Sequence, residues 1–184
     1  MKARINSDQS GQALVELSFG LVMLCVFVFG IIDFGRAVYD VQVMKNLVGE
    51  GSSLASRGTS VPSTVTQVIS DAGRDLHMSS NGCVIVTQVT NEGSGSLQVT
   101  EQSSGGGISG ASCKSVIGCV SGTGGCSTGN ATLPRAAVNA LNAEVTGSAI
   151  YVTEIYYNYT TITPLPGFVG SSVLPSQFYA VAYY

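Results

Sequence analysis

The chain has 184 residues, enough for one folded domain with an appended segment and too few for two ordinary domains. Only 10% of the residues are charged and the mean hydropathy is +0.33, so part of the sequence is built to avoid water. A formal charge of -3, with eight basic residues scattered from Lys2 to Arg135, excludes the clustered Lys and Arg that nucleic-acid binding requires.

Residues 1–11, MKARINSDQSG, are polar, and Lys2 and Arg4 favour a cytoplasmic N-terminus. From Ala13 to Ile32 the run ALVELSFGLVMLCVFVFGII carries one charge, Glu16. Its twenty residues, at about 1.5 Å rise each, span roughly 30 Å of hydrocarbon. This predicts a membrane helix over about 13–32, with the rest of the chain on the far side of the bilayer. A secretory signal fits less well. The run is longer than an h-region, holds a glutamate near its start, and is followed by DFGRAVYD rather than a small-residue cleavage site.

The helical pattern continues beyond the apolar run. Phe34, Ala37, Val41, Met44, Val48, Gly51 and Ala55 recur at alternating intervals of three and four, the seam of a heptad, while Asp33, Arg36, Asp40, Lys45 and Glu50 fall off it. One helix over 12–58 is expected, its seam packing on the chain's own domain, on neighbouring subunits, or on both. Gly58 to Pro62 breaks it, and a second amphipathic helix follows, with Val65, Val68, Ile69, Ala72 and Leu76 on one face.

The period then changes. CVIVTQVT (83–90) and SLQVTE (96–101), separated by NEGSG, read as a β-hairpin. Residues 103–130 are glycine-rich, hold three cysteines and show no hydrophobic periodicity, so a long surface loop is expected there. Pro134 followed by Val138, Leu141 and Val145 predicts a third helix. AIYVTEIYYNYTTIT (149–163) predicts a long strand ended by Pro164, Pro166 and Gly167, and QFYAVAYY a last strand. Residues 59–184 therefore read as an exported α+β domain, an antiparallel sheet packed against helices.

Of the five cysteines, Cys25 lies in the apolar run, and Cys83, Cys113, Cys119 and Cys126 lie in the exported part. Their spacings lack the C-x-x-C pairs and neighbouring His of a zinc site, so disulfides in an oxidising compartment are the expectation, with three pairings open. No metal and no cofactor is expected.

The junction of leader and helix reads GQALVEL, Gly11 through Leu17. It resembles a type IV prepilin cleavage site, and GQALVEL with the following apolar run and GIIDFGRAVYD is similar in particular to TadE-like pseudopilins of the tight-adherence pilus system. The resemblance covers roughly residues 10–57. It implies that a prepilin peptidase cuts between Gly11 and Gln12, leaving Glu16 as the fifth mature residue, where it serves assembly. It also implies partners among other pilin or pseudopilin subunits and inner-membrane pilus assembly proteins, and a bacterial inner-membrane location with the N-terminus inside, or incorporation into a surface pilus. The residues supply their own reason for Glu16. A carboxylate near the end of a membrane helix needs a partner, and the new α-amino group of Gln12 is one.

Catalytic patterns are missing. His77 is the single histidine, no G-x-S-x-G, H-E-x-x-H or Walker A string occurs, and Asp71 and Asp75 read as a solvated helix edge. The expectation is a pilin-like structural subunit or assembly component rather than an enzyme. The alternative is a monomeric membrane-anchored envelope or surface binding protein, which would keep its leader.

Overall fold

The computed structural model describes residues 8–72, 76–93, 97–120, 131–134, 137–139, 146–163 and 174–184. By its internal contacts the chain divides into two units, Met1–Val38 with Thr160–Leu174, and Tyr39–Tyr159 with Pro175–Tyr184.

Helix α1 runs from Asp8 to Ser56 without interruption. It begins upstream of Gly11 and ends where Gly58 turns the chain with a φ of 97°. α1 is long and apolar enough to cross a membrane, and none of its most apolar 18-residue window is buried. Leu17, Phe19, Leu24, Phe27 and Ile31 are all exposed along it.

In the second unit, α2 (Val61–Ala72) starts with Pro62 in its first turn, where a missing N–H costs nothing, and buries Val61, Thr64, Val65, Val68 and Ala72. Leu76 is fully buried beyond the end of α2, and a short helix α3 (Met78–Asn81) leads into the sheet. The sheet has four antiparallel strands in the order β2-β1-β3-β4, with β1 Gly82–Asn91, β2 Leu97–Gly106, β3 Ala149–Asn158 and β4 Gln177–Tyr183. The expected α+β architecture, a long apolar helix followed by a small antiparallel sheet packed against helices, is the one observed.

Both faces of the sheet are covered, because β1 is buried almost throughout. On one face α2 packs over β1 and β2. The far end of α1 comes close to β3, and a Cβ added at Gly51 would stand 3.0 Å from Thr153 and from Val68. On the other face Val89, Leu97, Val99 and Val152 enclose Ile117 of the cysteine-bearing segment, with Val120 and Leu133 beside them.

Two boundaries differ from the expectation. β2 extends through Ser103, Ser104, Gly105 and Gly106, which composition assigns to the loop. Those glycines serve clearance. A Cβ at Gly105 would lie 2.9 Å from Val65 and Ile69, and Gly106, at φ 128°, would collide with the Gly82 carbonyl. β3 stops at Asn158 rather than at Thr163, because its partner β4 begins at Gln177 opposite that residue. Of the expected third helix, residues 137–139 are helical, while Leu141 and Val145 lie outside the described residues.

Candidate functional site

Gly11, Gln12 and Glu16 all lie on α1, exposed. Ala13, Glu16, Leu17, Gly20, Leu21 and Leu24 share one helix face, and the small residues leave a shallow open depression beside the carboxylate. Apolar side chains in this number cannot remain against water, so the surface is made to be covered by lipid or by other helices. Cys25 is a free thiol on the same exposed stretch.

Within the chain itself, the start of the expected seam is not the face that is buried. Phe34 is 63% exposed and Val41 half-buried, while Asp33 and Asp40, read as off the seam, are each 3% exposed. The buried positions are Asp33, Ala37, Asp40, Met44, Leu47, Val48, Gly51, Ser52 and Ala55, a three-four spacing begun one residue earlier that broadens to adjacent pairs from Leu47 onward. At Asp33 the reason is visible. Its carboxylate accepts from the N–H of Ile162 at 3.2 Å, the N–H of Thr163 at 3.4 Å, and the Thr163 hydroxyl. A reading that ranks residues by apolarity puts Phe34 inside; the hydrogen bonds put Asp33 there.

The sheet carries a second constellation, around Glu154. This residue is fully buried on β3, on the face opposite α2. Its carboxylate accepts from the Ser115 hydroxyl, from the Val116 N–H at 2.9 Å and from the Tyr179 hydroxyl at 2.9 Å. Around it the Tyr156 hydroxyl donates to the Lys114 carbonyl, the Gln102 amide to the Gly118 carbonyl, and the Gln177 amide to the Ser112 carbonyl. Cys83 of β1 is joined to Cys113, and Cys119 is disulfide-bonded too; Cys126 lies outside the described residues. Residues 112–120 are thus strapped across the sheet by a covalent bond, a buried carboxylate and amide side chains. A groove of about 490 Å³ remains between strap and strands, lined by Ile85, Gln102, Lys114 and Ser115 among others.

Burial and the neighbouring Glu154 push the Tyr156 phenol up to about 12, and the same two causes raise Tyr179, to which the hydrogen bond to Glu154 adds, and Tyr183. The phenols therefore stay protonated donors at any ordinary pH. The sequence reading did not single out Glu154. Its signal was a lone acidic residue inside AIYVTEIYYNY, on the face shared with Ile150, Val152 and Tyr156.

An exposed apolar helix continuous with the core of a small α+β domain is the layout of a membrane-anchored, pilin-like protein. Residues 11–52 match the family model of TadE-like proteins, the stretch that holds GQALVEL and the apolar run after it. That family is a structural component of the tight-adherence pilus and not a family of enzymes. No curated protein and no solved structure matches the chain.

Proposed function

We propose that this chain is a pilin-like structural subunit or assembly component of a tight-adherence pilus, made with a leader over 1–11 that a prepilin peptidase removes between Gly11 and Gln12. Residues 12–58 then form the assembly helix and 59–184 the domain exported across the bacterial inner membrane. The observation that carries this reading is where the TadE-like match falls: it opens at Gly11 and ends at residue 52, taking in Glu16 and most of α1. In the mature chain, Glu16 and the freed amine of Gln12 would pair within a helical bundle or between adjacent subunits, neutralising two charges that lipid solvates poorly.

Intact-mass measurement of the chain from piliated cells tests the processing, with a mature form beginning at Gln12 expected. Met1 or Lys2 still attached in such cells would sink the reading. Glu16→Val tests the assembly role. It removes a charge from an apolar helix, so membrane insertion is expected to persist or improve, while incorporation into pili or pilus-assembly complexes falls. Losing one member of a buried ion pair costs about 3–5 kcal/mol, enough to disrupt a subunit contact. Normal assembly of a cleaved, normally abundant variant would make Glu16 a tolerated residue only.

A further inference from the structure

We propose that residues 160–163 form a second contact with the lipid surface, held at the end of the apolar span by the Asp33 carboxylate. The inference rests on the membrane-spanning reading of α1. Asp33 directly follows the apolar run, so its carboxylate stands where the helix leaves hydrocarbon, and a charge there must be partnered. Its partners are the N–H groups of Ile162 and Thr163 and the Thr163 hydroxyl, which bring residues 162 and 163 against that turn of the helix within one contact unit. The arrangement hides the carboxylate, 3% exposed, and satisfies the backbone donors of both residues, which lowers the cost of placing them at the hydrocarbon edge.

At this level the large side chains most exposed are apolar, with the uncharged Thr160, Thr161 and Thr163 and the half-buried Arg36 among them. Ile162 is 66% exposed, beside a helix turn whose Ile31, Ile32 and Phe34 are 72%, 49% and 63% exposed. No Asp, Glu, Lys or Arg occurs from Ile155 to Tyr184, so this part of the chain offers no side-chain charge to a charged protein partner. The patch continues the exposed apolar surface of the span, and lipid is the occupant that surface is already committed to.

The test uses the full chain carrying Cys25→Ser, reconstituted in vesicles of phosphatidylethanolamine and phosphatidylglycerol, and labelled without reductant with an environment-sensitive fluorophore. Labels are introduced by Ile162→Cys, by Val22→Cys within the span and by Val116→Cys on the exported domain, with the Cys25→Ser chain as blank. Brominated lipid is expected to quench the label at 162 as it quenches that at 22, and aqueous iodide to quench it several-fold less than that at 116. Adding Asp33→Ala, or the milder Thr163→Val, should raise iodide quenching at 162 while leaving the label at 22 unchanged. Iodide quenching at 162 equal to that at 116 overturns the proposal, as does shielding from both quenchers, which would mean a protein contact. Unchanged lipid exposure in both latch variants overturns the role of Asp33. A label at 22 that lipid fails to quench sinks the spanning reading as well, so the two failures are distinguishable.

Discussion

Glu154 is the residue on which the α+β domain depends in a way its composition hides. A fully buried carboxylate on a β-strand is tolerable only when donors surround it, and Ser115, Val116 and Tyr179 supply them. Glu154→Gln keeps the shape but turns one oxygen into an NH2 group facing a donor. The expected cost is about 1–3 kcal/mol, read as a lower denaturant midpoint of the full chain in detergent. The same variant removes the charge that helps hold the Tyr156, Tyr179 and Tyr183 phenols up, so their ionisation is expected to begin at lower pH. A midpoint equal to that of the parent chain would mean that the strap is held without the carboxylate.

At the scale of elements, the disulfide does what hydrophobic burial cannot do for a glycine-rich segment. Cys83 and Cys113 are 30 residues apart, and closing that loop restricts the unfolded chain. Replacing both with serine is expected to lower stability by about 2–4 kcal/mol and to loosen residues 112–120 first, which hydrogen exchange along the strap would register. The segments that were legible from sequence were the unbroken apolar run of α1, the apolar face of α2, and the β-branched and aromatic runs of β1 and β3. What was not legible were positions decided by a neighbour far along the chain. Gly105 and Gly106 look like loop because their value is the room they leave for α2 and Gly82. Phe34 looks like core because nothing near it in sequence reveals that Thr163 will claim Asp33 for the inside. The same holds for the strap, since no local pattern couples Ser115 to a carboxylate 39 positions later.

For the whole molecule, the α+β class and the TadE-like N-terminal segment could be read directly, because both rest on long apolar patterns and on one short motif. Its pH response belongs to this scale too. A tyrosine in the unfolded chain ionises near 10, whereas Tyr156 in the fold holds its proton to about 12, and Tyr179 and Tyr183 are raised as well. Between those values the unfolded state gives up protons that the folded state keeps. Stability is therefore full below about pH 10 and declines as pH rises toward 12. Tyrosinate absorbance followed together with a structural signal should show the phenols of β3 and β4 ionising as the domain loosens, and an unchanged thermal midpoint across that window would contradict this account.

The strand order β2-β1-β3-β4 also sets a timetable. Synthesis runs from the N-terminus, so Cys83, Cys113, Ser115 and Val116 exist before Glu154 does, and Tyr179 is made after all of them. A growing chain can lay the strap on β1 and give Glu154 its first donors as soon as β3 arrives. It cannot give Glu154 its last donor, or shield β3 from an outside strand, until β4 has emerged. The domain is thus finished from its C-terminal edge, and the final strand acts as its closing fastener.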